Sequence, residues 1–165
     1  MKLRRFDIDR DFDSLSRWAA DERTHAMWCA MRMKYPLQKD DVDSFLRFEE
    51  EKYGNKAFTA VDDNGCPVGF FCCSPNRESG ETMLKFVIVD PECRGKGFGS
   101  EMVKLAAENE FADDSVRAVQ LMVFTENTGA RRCYEKAGFA ERSVTPDAFT
   151  YGSESWGRCN MVLKK

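Results

Sequence analysis

The stretch Val87-Ile88-Val89-Asp90-Pro91-Glu92-Cys93-Arg94-Gly95-Lys96-Gly97-Phe98-Gly99 decides how the rest of the chain is read. Its β-branched run is a strand that begins near Met83, and Pro91 ends it, because proline removes a ladder donor. Alternating glycines then let successive backbone N–H groups turn toward one concavity without Cβ obstruction. The helix predicted to open at Gly99 adds partial positive charge at the same spot. Such a loop is a phosphate cradle, and Arg94 and Lys96 add formal charge that suits a diphosphate better than a carboxylate. The plain alternative is a solvated basic loop. Two familiar phosphate loops are excluded: no G-x-x-x-x-G-K-[ST] string occurs, and Ser100 breaks the G-x-G-x-x-G dinucleotide pattern three positions after Gly97.

Upstream of this stretch, Lys2 to Phe6 alternates as a strand. Phe12, Leu15, Trp18 and Ala19 follow at helical spacing, in a helix expected to reach Met27. A second helix is predicted from Lys39 to Tyr53, stopped by Gly54. Ala57 to Val61 and Pro67 to Cys73 flank Asp62-Asp63-Asn64-Gly65 as a hairpin. Downstream come a helix ending at Asp113-Asp114, a strand from Arg117 to Phe124, a helix from Thr128 to Ala137 capped by Gly138, and two weak strands around Gly152. The order βααβββαβαββ specifies an α+β fold with a mixed sheet, in one domain over residues 1–165.

Charge and composition narrow the function. With 25 Lys and Arg against 28 Asp and Glu, the net charge is -3, so no basic field exists to hold a nucleic-acid backbone. The start, MKLRRFDIDRDFD, breaks any apolar leader with acidic residues, and no run approaches the ~20 apolar residues of a membrane span. A cytoplasmic protein is expected, without membrane or nucleic-acid partners. The 7 cysteines form no C-x-x-C pair and only 1 His is present, so reduced core thiols and no metal are expected.

The quoted stretch resembles the acyl-CoA motif of the GNAT superfamily of N-acetyltransferases, R/Q-x-x-G-x-G/A after a strand. A second block, Asn127-Thr128-Gly129-Ala130-Arg131-Arg132-Cys133-Tyr134-Glu135-Lys136-Ala137-Gly138-Phe139, is similar to the family's later motif, N-x-x-A-x-x-x-Y-x-x-x-G-F, at every position. The resemblance is close over Ala57 to Ala140, loose before it, and fades in the tail. It implies a twisted, mostly antiparallel sheet of six or seven strands with a splayed parallel pair, flanked by about four helices. It implies acetyl-CoA as co-substrate, with pantetheine along Val87, Ile88 and Val89 and the pyrophosphate against Arg94, Gly95, Lys96, Gly97, Phe98 and Gly99. Asn127 either contacts the pantetheine arm or caps the following helix.

In the family's chemistry, Tyr134 stands where a tyrosine protonates the departing sulfur, its phenol being neutral at pH 7; the alternative is a core-facing ring. A main-chain N–H near Val87 would meet the oxyanion. The base is less defined. The position at which many relatives carry a glutamate, five residues before the motif asparagine, is Met122. Glu81 is the nearest alternative, against a solvated turn charge or a water chain, and His25 reads as a packed residue. The acceptor, a primary amine of a small molecule or a protein N-terminus, is expected at Trp28 to Tyr35 and Phe149 to Trp156, with Asp21, Glu22 and Glu154 as charges to attract it. A homodimer is compatible with the resemblance. The competing readings are a non-catalytic acyl-CoA sensor, for which Met122 speaks, and an interaction domain, which leaves the glycine loop unexplained.

Overall fold

The computed structural model describes residues 1–165. In chain order the elements are β1 (Lys2–Arg5), α1 (Ile8–Trp18), α2 (Glu22–Cys29), α3 (Lys39–Tyr53), β2 (Lys56–Val61), β3 (Pro67–Asn76) and β4 (Glu81–Val89). A 3-10 turn at Pro91–Cys93 leads into α4 (Phe98–Phe111), β5 (Ala118–Phe124), α5 (Thr128–Lys136), β6 (Ala140–Tyr151) and β7 (Glu154–Lys164). The helix expected to run on to Met27 is two helices, so five helices flank the sheet in place of the four expected. The break has a local cause: the Asp21 carboxylate accepts a hydrogen bond from Thr24 N at 2.8 Å and starts α2 as its N-cap.

The seven strands lie in the order β1-β2-β3-β4-β5-β7-β6, and every pairing is antiparallel except β4 with β5. That parallel pair runs from Glu81 opposite Ala118 to Leu84 opposite Leu121 and then stops, although both strands continue. At the same place β4 carries an extra residue relative to β3, with Phe86 at φ 52. Such a bulge bends and twists its strand. It also changes side-chain parity. Strict alternation would put Leu84, Phe86 and Ile88 on one face, whereas Leu84 packs with α4 and α5 and Phe86 and Ile88 pack with α1 and α3 on the other.

The two faces carry separate cores. Met102, Val103, Ala106 and Tyr134 cover one, and Leu15, Trp18, Cys29 and Val42 cover the other. On the second face α1 is tied to the sheet by a buried carboxylate. Asp11 accepts from Arg4 Nη1 at 2.7 Å and Nη2 at 2.6 Å, from Asp7 N at 3.0 Å and from Thr59 Oγ1 at 2.7 Å. Burial pushes its pKa up, but the hydrogen bonds and the Arg4 charge outweigh burial and hold it below the usual carboxylate value. The stability this gives is in place above an unfolded value of about 3.9 and is lost as pH falls through the lower folded value. Asp11→Ala is expected to cost about 3 kcal/mol at pH 7, the low end for breaking a buried pair because Arg4 stays partly in water. Urea melts should show that gap narrowing at pH 3; an unchanged midpoint at pH 7 would contradict the assignment.

Candidate active site

The divergence of β4 from β5 opens a cleft of about 810 Å³, within the range of small-molecule sites. Its mouth is the glycine loop. No N–H group from Gly95 to Ser100 has a hydrogen-bond partner within the protein. Gly95 and Gly97 take φ of 73 and 90, and a Cβ at either would meet nothing within 4 Å. These groups and the first turn of α4 therefore present unsatisfied donors to one concavity, the arrangement that favours an anion. At Gly99 the reason for glycine is different: a Cβ there would stand 2.8 Å from Cys133 Sγ, so its absence lets α4 approach α5.

Deeper in, the main chain of β4 is itself available. Asp90 N donates to Val68 O, and the register pairs Ile88 with Phe70, so alternation turns Ile88 toward β3 and leaves the peptide groups of Val87 and Val89 facing the gap. Unpaired backbone of this kind needs a partner. The Phe86 carbonyl already has one, because Trp28 Nε1 donates to it at 2.7 Å and so fixes α2 to the bulge. Tyr134 lines the gap from α5 with its ring buried, and its hydroxyl makes no hydrogen bond within the protein. Burial, followed by the nearby Cys133, raises the phenol pKa well above its ordinary value, so it is neutral and protonated. Asn127 caps α5, its side chain accepting from Ala130 N at 3.1 Å, and it also lines the cleft.

Of the residues singled out from the sequence, Val87, Ile88, Val89, Arg94, Gly95, Gly97, Gly99, Asn127 and Tyr134 share this cleft. Lys96 and Phe98 contribute loop N–H groups, but their side chains do not line it; Phe98 packs against the core. Glu81 does not line it either. It sits at the paired end of β4, opposite Ala118, where its carboxylate accepts from Arg142 at 3.0 and 3.1 Å and from Gln120 Nε2 at 2.6 Å. That replaces both the expected base and the expected turn charge with a structural ion pair. His25 is fully buried against Trp28 and Tyr35, and burial lowers its pKa.

The acceptor end differs from expectation. From Trp28 to Tyr35 only Trp28, Cys29, Ala30 and Arg32 line the cleft, while Met33 is in the core and Tyr35 donates to Ala20 O. Phe149, Tyr151 and Trp156 stack with Phe124 in a cluster of their own. Asp21, Glu22 and Glu154 are outside the lining. The Arg23 guanidinium and the Trp156 indole hold the Glu154 carboxyl down to about 2. Sequence reading missed the bulge at Phe86, the Trp28 bond, and Arg23, Arg132, Lys136 and Arg158, four cations that line the cleft. For Arg158 a signal existed in the alternation of Trp156-Gly157-Arg158-Cys159-Asn160, which places it on the sheet face opposite the buried Cys159.

A splayed strand pair with unpartnered loop amides at its mouth has the length and the donors to take an elongated, phosphate-bearing ligand along a strand. The chain belongs to the Acetyltransferase (GNAT) family, whose sequence profile matches residues 13–139. It is 31% identical over 139 residues to an uncharacterized N-acetyltransferase of Methanocaldococcus jannaschii, an alignment that takes in 66% of this chain and 60% of that protein. The chain therefore spans less than two thirds of that relative. It is 28% identical to the 5-NmdU N-acetyltransferase of Pseudomonas phage PaMx11, over 72% of this chain and 81% of the phage protein. The fold matches the Vibrio cholerae spermidine N-acetyltransferase, solved in complex with CoA and spermine, at TM-score 0.81 and 19% identity, over 99% of this chain and 94% of that one.

If the loop amides hold a diphosphate, a branched side chain at Gly97 is doubly unfavourable, since φ 90 is strained for it and its Cβ projects into the open concavity. Gly97→Val should weaken CoA binding at least ~10-fold by calorimetry. Unchanged affinity would remove the loop from the ligand site.

Proposed function

We propose that the protein transfers an acetyl group from acetyl-CoA to a primary amine, of a small molecule or a protein N-terminus, by direct attack in a ternary complex. The observation that carries this reading is the run of unpartnered N–H groups from Gly95 to Ser100, leading straight into the gap where Val87 and Val89 leave β5. Those donors fit a diphosphate, and the strand edge fits the amides of a pantetheine arm. In this reading residues 1–165 form one N-acetyltransferase domain, supported by a single sheet that takes strands from both ends of the described chain. It acts in the cytoplasm, to which four buried free thiols, Cys29, Cys72, Cys73 and Cys159, are suited. No helix is long and apolar enough to cross a membrane. A homodimer is compatible with the long exposed edge of β6.

Bound acetyl-CoA supplies a thioester carbonyl and, on transfer, a thiolate leaving group. The Val87 N–H faces the gap and is the fixed dipole available to a developing oxyanion, at no cost of reorganisation. As the amine nitrogen bonds to the carbonyl carbon and the carbon–sulfur bond breaks, Tyr134 gives its hydroxyl proton to sulfur and takes one back from water as CoA leaves. The amine's own proton leaves to water, because no Asp, Glu or His lines the cleft. Met122, half-exposed at the wall, offers no proton acceptor where a glutamate was sought.

Purified protein should consume acetyl-CoA and release CoA thiol with some member of a primary-amine panel; CoA binding without turnover of any amine would leave only a sensor. Tyr134→Phe should lower kcat at least ~10-fold while CoA affinity stays within about twofold, as expected for a group acting only in the transition state. Equal turnover would take Tyr134 out of the chemistry. Without a side-chain base, log kcat/KM should climb with unit slope up to the acceptor amine's own pKa and shift when the amine is changed. A plateau near pH 6.5 independent of the amine would point to an enzyme base instead.

A further inference from the structure

We infer that the acceptor is a small amine carrying an anionic group, a carboxylate or a phosphate, next to its nitrogen, and that Arg158 holds that group. This rests on the acetyl-transfer reading above and names its substrate class. The chain carries more acid than base, 28 Asp and Glu to 25 Lys and Arg, yet the cleft lining contains no Asp or Glu and several Lys and Arg. A polycationic acceptor would meet only like charge there, with no carboxylate to offset its desolvation.

Three of the seven lining cations are already matched. Arg23 pairs with Glu154, with Nη2 to Oε2 at 2.9 Å, and lies over the Tyr151 and Trp156 rings. Arg32 donates to buried Glu49 at 3.0 Å, and Lys85 reaches the same carboxylate at 3.8 Å. Arg94 forms no ion pair and sits on the glycine loop, at the phosphate end. Arg132, Lys136 and Arg158 have no carboxylate partner. The first two are on α5, on the face that α4 and the glycine loop occupy, so they belong to the phosphate end.

Arg158 is on the other face. The β5–β7 register sets it opposite Phe124 and sets Asn160 opposite Met122, while the intervening Cys159 points into the α4–α5 core. Arg158, which is exposed, thus shares its side of the sheet with Met122 and Phe124, and the α2 residues Thr24 and Met27 line the same cleft. It makes no hydrogen bond or ion pair within the protein. An unpartnered guanidinium beside Met27, Met122 and Phe124 is suited to a fork-shaped contact with a carboxylate or phosphate whose remaining surface is apolar. Glu126, two residues beyond β5, accepts from Thr125 Oγ1 at 2.9 Å and forms no ion pair with Arg158.

The test uses the full chain saturated with CoA, which cannot transfer, so that binding is read apart from turnover. Matched pairs are titrated by calorimetry: methionine against 3-(methylthio)propylamine for the carboxylate, and O-phosphoethanolamine against ethanolamine for the phosphate, with spermidine as polycation. The anion-bearing member of one pair should bind at least ~10-fold tighter than its counterpart and than spermidine, and the pair that discriminates identifies the anion. Arg158→Gln should erase that preference, a loss of ~10- to 100-fold for one charge-assisted contact, with CoA affinity unchanged, and Arg158→Lys should restore part of it. Equal or tighter binding of the anion-free amines or spermidine, no binding by any member, or a preference that survives Arg158→Gln would overturn the inference. Rapid acetylation of spermidine without an anion preference would sink this inference and leave acetyl transfer standing. Discriminating binding with no transfer from acetyl-CoA would remove acetyl transfer, and with it the acceptor role, while leaving the anion contact at Arg158.

Discussion

The structure depends on where one set of hydrogen bonds ends. Parallel pairing between β4 and β5 stops at Leu84 and Leu121, and the bulge at Phe86 turns the remainder of β4 away. A strand edge without a neighbour leaves its polar groups unpaired, and here the N–H and C=O groups of Val87 and Val89 face the cleft. The bulge also distributes side chains, sending Leu84 to one core and Phe86 to the other, so α4 and α5 on one side and α1 to α3 on the other both grip the strand that forms the site. Trp28 completes the grip by donating to the bulged carbonyl. Stability and function therefore converge on the same few residues of β4.

Electrostatics divides the cleft along its length. At the mouth main chain and side chains act together: the loop amides and the start of α4 supply fixed partial charges, and Arg94, Arg132 and Lys136 add formal charge around them. Inside, Tyr134 is kept neutral by burial, which in the proposed mechanism suits a hydroxyl that gives its proton to sulfur. Beyond it, the charged side chains are held in place: Arg23 by Glu154 and Arg32 by Glu49, with Arg158 the exception.

Much of the fold was legible because its signals are local. Lys39–Tyr53 and its Gly54 stop, the Asn64-Gly65 hairpin, the strand before Pro91 and the two motif blocks each announce themselves within 16 residues or fewer, and the sheet follows from their order. The break between α1 and α2 was not read, since Asp21 as a cap competes with an unbroken apolar stripe from Phe12 onward. The cleft position of the glycine loop was readable for the same reason as the fold: glycine spacing states a backbone requirement directly. The acceptor half was not. Whether Glu81 faces the cleft or an arginine depends on Arg142, which is 61 residues away in sequence, and whether Arg158 is paired depends on partners from three other elements. No local pattern encodes such distances.

In the proposed function the amides from Gly95 to Ser100, with those of Val87 and Val89, are the groups that bind CoA. Titrating CoA into uniformly 15N-labelled protein and following each amide resonance tests it most directly. These amides should show the largest shifts and gain protection from solvent exchange, while those of β1 and β2 stay in place. Saturable binding that moves resonances elsewhere and leaves Gly95 to Ser100 unchanged would contradict the account.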